Sequence, residues 1–123
     1  MAGEKIQKIL IIDDDPIVVK YLTALFTNNG YETCSAESGD IQTFKLIEKE
    51  KPDLITLDLE MPDGWGPRFY RRLKKDRSLM DIPVIVISGL PGNKYSLPKV
   101  VASLNKPFDP DELLSIVKET IGN

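Results

Sequence analysis

The side chains best suited to chemistry in this sequence are mostly acidic, and they stand where apolar runs end. Three consecutive aspartates follow the run Ile9–Ile12, and another aspartate closes the run Leu54–Leu57. A serine and a lysine follow two later apolar runs. In parallel α/β sheets the carboxyl ends of the strands meet at one edge, where ligands bind. We therefore expect a single site at that edge, built from Asp13, Asp14, Asp58, Ser88 and Lys106, whereas Asp15, which directly precedes Pro16, is interpreted as a helix cap.

This set of side chains favours a hard metal ion and a phosphoryl group. Clustered carboxylates without histidine or thiolate suit Mg²⁺ or Mn²⁺ better than zinc or copper. Two carboxylates about 4 Å apart repel by roughly 4 kcal/mol at an effective dielectric near 20, so a divalent cation or Lys106 must offset their charge. Ser88 adds a hydroxyl donor, and a carboxylate can itself be a nucleophile that forms an acyl phosphate. Asp58 is the best placed of the acids for that role.

Strands and helices alternate along the sequence. The strands predicted from apolar runs are 9–12, 31–36, 54–57, 83–87 and 100–104. The helices predicted from amphipathic spacing and caps are 17–29, 38–51, 68–75 and a last one that begins after Asp109. Pro91, Gly92 and Pro98 interrupt the segment between the last two strands and leave room for only a short or irregular helix. Five strands alternating with about five helices predict an α/β fold with a parallel sheet covered on both faces.

Composition indicates one ordinary globular domain. The 123 residues predict a single domain over 1–123, and the net charge of −3 argues against a nucleic-acid-binding surface. The single cysteine, Cys34, permits no intramolecular disulfide, and the apolar runs are too short to cross a bilayer. Histidine is absent, which removes imidazole as a metal ligand or phosphate carrier. We expect a cytoplasmic protein with no nucleic-acid or membrane partner.

Four motifs in order resemble the receiver domain of response regulators, in particular the chemotaxis-type single-domain receivers of two-component signalling. The motifs are Ile9–Pro16, Pro52–Pro62 with Gly66 beyond it, Pro83–Gly89, and Lys106–Phe108. Each motif alone is weak, but four at these spacings are specific, and they cover essentially the whole chain. The resemblance implies a flavodoxin-like, doubly wound sheet of five parallel strands in the order 2-1-3-4-5, with helices on both faces.

The resemblance also implies how the acidic residues act. Asp58 is the implied phospho-acceptor. The implied protein ligands of Mg²⁺, for which Mn²⁺ could substitute, are Asp13, Asp14, Asp58 and the backbone carbonyl of Glu60. The implied phosphoryl donor is a histidine kinase or a histidine phosphotransfer protein. The chain is then a phosphotransfer substrate that dephosphorylates itself, not an enzyme, and it switches the binding of a partner protein or relays phosphate.

Three further roles follow from the same resemblance. Ser88 is the implied switch hydroxyl. Lys106 contacts the phosphoryl group, and Gly89 leaves space beside Asp58 for the donor. The peptide between Lys106 and Pro107 is expected to be cis, which places the lysine at a tight turn.

Three features depart from the family pattern. The aromatic switch residue that usually precedes the lysine falls near Ser103. The chain between Ser88 and Lys106 is about four residues shorter than usual for a βαβ crossover, which is why the fourth helix of the fold is expected to be short or irregular. Gly64 and Trp65 replace the usual methionine and aspartate beyond Met61.

Two alternative functions remain open at the level of sequence. A small Mg²⁺-dependent phosphohydrolase could use Asp58 as nucleophile, although Glu60 is followed at once by a turn and the chain has no cap domain. A receiver-like interaction module could keep the fold and switch unconventionally or not at all, for which the missing aromatic at Ser103 and the shortened fourth helix are the evidence.

Overall fold

The computed structural model describes residues 6–61, 65–89, 97 and 99–122. The strands are β1 (Lys8–Ile12), β2 (Glu32–Ala36), β3 (Leu54–Leu57), β4 (Val84–Ser88) and β5 (Ala102–Asn105). The helices are α1 (Pro16–Thr27), α2 (Ile41–Glu50), α3 (Trp65–Lys75) and α4 (Pro110–Ile121). The predictions of a turn at 62–64 and of a short or irregular helix within 90–98 concern segments that lie largely outside the described residues.

All five strands run parallel in one sheet of order β2-β1-β3-β4-β5. β1 pairs with both β2 and β3, so that Leu10 lies opposite Cys34 on one side and Ile55 on the other. This confirms the predicted fold class and strand order. The chain winds outward in opposite directions from β1 and β3, and the crevice of such a sheet opens at the carboxyl ends of those two strands.

The four described helices cover both faces of the sheet. On one face α2 and α3 bury Phe44, Ile47, Phe69, Tyr70 and Leu73 against the sheet. On the other face α1 and α4 bury Leu22, Phe26, Leu113 and Val117. Burial of each such side chain stabilises the fold by roughly 1.5–3 kcal/mol. The packed helices therefore hold the strands in position, and the strands determine where the loops at the carboxyl edge of the sheet begin.

Aspartate side chains start three of the helices. Asp15, Asp40 and Asp109 each accept hydrogen bonds from backbone N–H groups in the first turn of α1, α2 and α4. A carboxylate at this position satisfies donors that have no partner within the helix and interacts favourably with the helix dipole. Asp15 is thus a helix cap, as its position before Pro16 indicates.

Several element boundaries differ from the sequence-based predictions. α3 begins at Trp65 rather than near residue 68, because Pro67 fits the first turn of a helix, where its missing N–H is not needed. α1 ends at Thr27, two residues before the predicted end, and Gly30 follows with a positive φ of 89°. β5 is shifted to Ala102–Asn105, since only Leu104 of this edge strand is buried and the apolar pattern gives little register information.

The buried hydroxyl of Thr56 provides a stability test of the core. Thr56 is 2% exposed in the middle of β3, and its hydroxyl has no hydrogen-bond partner among the described residues. An unpaired buried polar group costs free energy, so we expect Thr56→Val to raise the free energy of unfolding by about 1 kcal/mol in urea denaturation. The matched control is Thr43→Val, which removes a hydroxyl that donates to the Ser38 carbonyl at 2.5 Å and should lower stability. Equal effects of the two substitutions would contradict this account.

Candidate functional site

Two neighbouring parallel strands deliver the central acids. The backbone N–H of Asp58, directly after β3, donates to the carbonyl of Ile12 at 2.9 Å, so the sheet hydrogen bonding continues to the acid itself. Asp13, directly after β1, donates its N–H to the Ala36 carbonyl at 3.1 Å. Each of the two aspartates is only 3% exposed. The apolar strands therefore hold two carboxylates side by side in a place where water screens them poorly.

The acids form a compact oxygen cluster. One carboxylate oxygen from each of Asp13, Asp14 and Asp58 lies within 4.8 Å of the others, and Asp14 is the exposed member. Asp15 does not join them because its carboxylate caps α1. Three hard oxygen donors, one of them open to solvent, fit a divalent cation that keeps part of its water shell, as Mg²⁺ does.

Lys106 reaches the same cluster from β5. Its ammonium Nζ lies 3.0 Å from Asp13 Oδ2 and 3.7 Å from Asp58 Oδ1. Its backbone N–H donates to the Ser88 carbonyl at 2.8 Å, and the Lys106–Pro107 peptide is cis. Burial alone lowers the pKa of Lys106, but the hydrogen bond to Asp13 and the charges of Asp58 and Asp13 outweigh it, so the pKa lies above its usual value. The lysine is a permanent cation between two buried acids.

Ser88 and Gly89 lie at the carboxyl end of β4, where Ser88 pairs with the Lys106 backbone and Gly89 with Glu60. Ser88 ends β4 and is 7% exposed. The backbone N–H of Gly89 donates to Oε1 of Glu60, so the Glu60 carboxylate already fills space beside Asp58. A Cβ atom at Gly89 would lie only 2.5 Å from that Oε1. Glycine at this position thus makes room for the Glu60 carboxylate.

The surroundings of Asp58 destabilise the ionised form of its carboxyl group. Burial raises the pKa of its carboxyl to about 6, and the N–H of Glu60, which donates to Asp58 Oδ1 at 3.0 Å, partly opposes that effect. The negative charge of Asp13 raises the pKa further, and the positive charge of Lys106 lowers it. Asp14 adds a smaller repulsion. The cluster therefore favours any cation, or any loss of negative charge, that relieves this repulsion.

The raised pKa predicts how stability varies with pH. Folded Asp58 keeps its proton up to about pH 6 and the unfolded chain loses it near pH 4, so this group reduces stability as pH rises through that interval, by roughly 3 kcal/mol. In Mg²⁺-free buffer we expect Asp58→Asn to gain stability relative to wild type between pH 4.5 and pH 7.5. Urea denaturation of both proteins measures the difference, which Mg²⁺ should shrink. A difference that does not vary with pH contradicts the prediction.

Two contacts of the site have no signal in the sequence. Gly66 in α3 lies directly on the backbone after β3, since a Cβ there would be 2.8 Å from the Asp58 carbonyl oxygen and 2.7 Å from the Leu59 Cα. The pairing of Glu60 with Gly89 depends on one rotamer across a gap of 29 residues. Gly66 belongs to one of the four motifs, but neither that motif nor a periodicity shows what Gly66 or Gly89 contacts.

Comparison with known proteins identifies the family. The model of the response regulator receiver domain matches residues 9–118, which include every residue of the candidate site. This chain belongs to the receiver family. The resemblance inferred from the four sequence motifs is therefore confirmed.

Individual relatives agree with this assignment. Protein Rrf1 of Nitratidesulfovibrio vulgaris is 32% identical over 114 residues, which cover 93% of this receiver and 82% of Rrf1. The phosphate regulon transcriptional regulatory protein PhoB of Pseudomonas aeruginosa is 36% identical over 117 residues, and the match covers 92% of this receiver but only 51% of PhoB. This receiver thus spans about half the length of that relative.

A solved structure shows the same fold. The receiver domain of sensor histidine kinase PA1611 from Pseudomonas aeruginosa superposes with a TM-score of 0.83 at 26% identity, covering 97% of this receiver and 100% of that domain. That structure has a magnesium ion coordinated in its active site cleft.

In this receiver, none of the helices in the described ranges is long and apolar enough to cross a membrane.

Proposed function

We propose that this receiver accepts a phosphoryl group on Asp58 from a histidine kinase or a histidine phosphotransfer protein. The observation that supports it most is the environment of one carboxylate. Asp58 is buried beside Asp13 and Asp14, and its Oδ1 lies 3.7 Å from the Lys106 ammonium. A nucleophilic carboxylate, further acids for a cation and a fixed ammonium are the groups that phosphoryl transfer to an acyl position requires.

The proposed metal ligands are the carboxylates of Asp13, Asp14 and Asp58 with the backbone carbonyl of Glu60, for Mg²⁺ or Mn²⁺. The three carboxylates are already within 4.8 Å of one another, and no soft ligand is near them in the described part of the chain. A bound divalent ion would neutralise charge on the phosphoryl oxygens during transfer. It would also relieve the repulsion that raises the pKa of Asp58.

The protein side chains supply the rest of the proposed mechanism. An oxygen of the ionised Asp58 attacks phosphorus and the new O–P bond forms as the P–N bond of the donor phosphohistidine breaks. The imidazole, already protonated on its other ring nitrogen, leaves as the neutral ring. The Lys106 ammonium, 3.0 Å from Asp13, is positioned to move onto a phosphoryl oxygen as charge develops there. Glu60 must release the Gly89 N–H, which then becomes a donor for the phosphoryl group. Ser88 supplies the hydroxyl that senses the modification.

The proposed role is a switch and not catalysis on a metabolite. Water hydrolyses the acyl phosphate slowly, which returns the protein to its unphosphorylated state. A phosphoryl group shifts the conformational equilibrium only to the extent that it binds one state better than the other. The output is then altered binding of a partner protein or onward transfer of phosphate, in the cytoplasm.

An exposed apolar surface next to the acids suits docking of the donor protein. Ile17 and Tyr21 are 78% and 47% exposed on one side of α1. The Tyr21 ring meets Phe108, two residues after Lys106, at a centroid distance of 6.0 Å. Exposed apolar side chains grouped beside a polar site are typical of protein contacts.

We expect Ile17→Ser to slow phosphoryl transfer from a protein donor but not from a small-molecule donor. Phosphoryl transfer from whichever histidine kinase or phosphotransfer protein serves the wild type fastest should slow roughly tenfold, since an apolar contact near the interface centre is lost. Uptake from acetyl phosphate should not change, because the substitution leaves Asp13, Asp14 and Asp58 in place and keeps the Ile17 backbone N–H that donates to Asp15. Ile41→Ser on α2, at 52% exposure, is the matched control. Equal slowing with both donors would contradict the docking role.

Fluorescence of the only tryptophan, Trp65, tests the proposed function as a whole. Trp65 begins α3, seven residues after Asp58, and should respond first to Mg²⁺ and then to acetyl phosphate. The proposal predicts a saturable response to Mg²⁺ and one phosphoryl group per chain by intact mass. Rapid multiple turnover of p-nitrophenyl phosphate would favour the phosphohydrolase alternative. Absence of both Mg²⁺ binding and an adduct would favour the interaction module.

A further inference from the structure

Positive charge in this receiver is concentrated on one helix. The segment 65–77 contains six of the 16 lysines and arginines and only one acid, Asp76, for a local charge of +5. The whole chain has a net charge of −3, so the other residues together carry −8. Asp76 itself accepts hydrogen bonds from the backbone and hydroxyl of Ser78 and marks the end of the helix. The segment 65–77 is therefore a positively charged region of a protein that is otherwise negatively charged.

Four of the five basic residues of α3 lie on one side of the helix. Arg68, Arg71, Arg72 and Lys75 follow the spacing i, i+3, i+4, i+7, which places them on one face, and all four are exposed. We call these four residues the basic stripe of α3. The opposite face buries Phe69, Tyr70 and Leu73 in the core. Over a rise of about 1.5 Å per residue the stripe is roughly 10 Å long.

Aromatic rings hold two of the guanidinium groups in place. The guanidinium carbon of Arg72 lies 4.4 Å from the centroid of the Phe44 ring, and that of Arg68 lies 5.9 Å from the Trp65 ring. Among the described residues no carboxylate lies within ion-pair distance of either arginine. A guanidinium stacked on a ring still presents its N–H edge, which matches a carboxylate. Because these arginine side chains are already ordered by stacking on the rings, they lose less conformational entropy when a partner binds.

We propose that the basic stripe of α3 binds an acidic helix or loop of a partner protein. A partner protein is favoured over nucleic acid because the stripe is short and the remainder of the chain, at −8, would repel an extended polyanion. Arginine and tryptophan side by side are also the residues that dominate protein interfaces. The surface acts without phosphorylation, so this inference stands whether or not Asp58 accepts a phosphoryl group.

The test uses a synthetic acidic helix and the unmodified full chain. The probe is a capped alanine-rich peptide with glutamates at i, i+3, i+4 and i+7, and binding is followed by Trp65 fluorescence and by calorimetry. The variant Arg71→Glu with Lys75→Glu reverses two stripe charges while leaving the stacked arginines in place. The control, Lys20→Glu with Lys118→Glu, makes the same change in net charge at exposed positions on α1 and α4, on the other face of the sheet. Thermal melts establish that both variants fold.

The proposal predicts saturable binding of the peptide that weakens with added salt. Affinity should fall at least tenfold in the stripe variant and less than threefold in the control. Three results would overturn it: no binding of the peptide by wild type, equal losses in both variants, or tighter binding of a DNA duplex or of anionic phosphatidylserine vesicles through the same two residues. The last result would assign the stripe to a nucleic acid or a membrane surface instead.

Discussion

We expect the Asp58→Asn variant to take up no phosphoryl group from acetyl phosphate in the presence of Mg²⁺, whereas the wild type should take up one. The amide is nearly isosteric with the carboxylate and can still accept the Glu60 N–H that Asp58 Oδ1 accepts at 3.0 Å. It lacks the negative oxygen that attacks phosphorus, so the reaction stops while the fold remains. Intact-mass spectrometry of both proteins over time measures the result.

The control for this loss is Asp53→Asn. Asp53 is also an acid next to β3, but it precedes the strand, and its carboxylate accepts the backbone N–H of Lys8 at 2.8 Å. It lies at the opposite end of the strand from Asp58. This variant should accept a phosphoryl group at the wild-type rate. Uptake by Asp58→Asn at a comparable rate would mean that another residue is the acceptor.

Replacing Lys106 by methionine should slow phosphoryl uptake roughly a hundredfold, a typical loss when one fixed charge on a transferring group is removed. Methionine keeps most of the apolar stem but removes the ammonium that lies 3.0 Å from Asp13 and 3.7 Å from Asp58. The pKa of Asp58 should then rise further, because Lys106 is one of the groups that lower it. Initial rates with acetyl phosphate at saturating Mg²⁺ give the magnitude.

Lys74→Met provides the comparison for Lys106→Met. The Lys74 ammonium donates to the Met80 carbonyl at 2.9 Å and to the Ile82 carbonyl at 3.3 Å, at a turn after α3. Its removal should change stability but not the rate of phosphoryl uptake. If Lys106→Met reacts within twofold of wild type while Lys74→Met does the same, the ammonium of Lys106 has no part in transfer.

The sheet and the site edge could be predicted from the sequence because both depend on short-range patterns. A strand covered on both faces is almost entirely apolar, as Leu54–Leu57 is apart from Thr56, and the charged residue directly after it marks the carboxyl edge. That rule placed Asp13 and Asp58 at the same edge, and Lys106, which comes after Asn105, was placed there because it follows the last predicted strand. The strand order came from the resemblance to a known family.

Other features depend on packing and could not be predicted in this way. The start of α3 was missed because Gly66 and Pro67 suggest a loop, yet Gly66 is needed where the helix lies against the Asp58 backbone. The contact between the Glu60 carboxylate and the Gly89 backbone depends on which rotamer the Glu60 side chain adopts. The position of β5 depends on an edge strand in which Leu104 is the only buried residue. Each of these is settled by contacts between distant parts of the chain.

Chemical trapping of the acyl phosphate on the wild-type protein tests the central claim most directly. Borohydride reduces an aspartyl phosphate to homoserine, so the modified residue can be located by peptide mass spectrometry after reaction with acetyl phosphate. The account predicts homoserine at position 58, formed with Mg²⁺ and greatly reduced with a chelator. Homoserine at position 13 or 14, or none under conditions in which Mg²⁺ is bound, would contradict it.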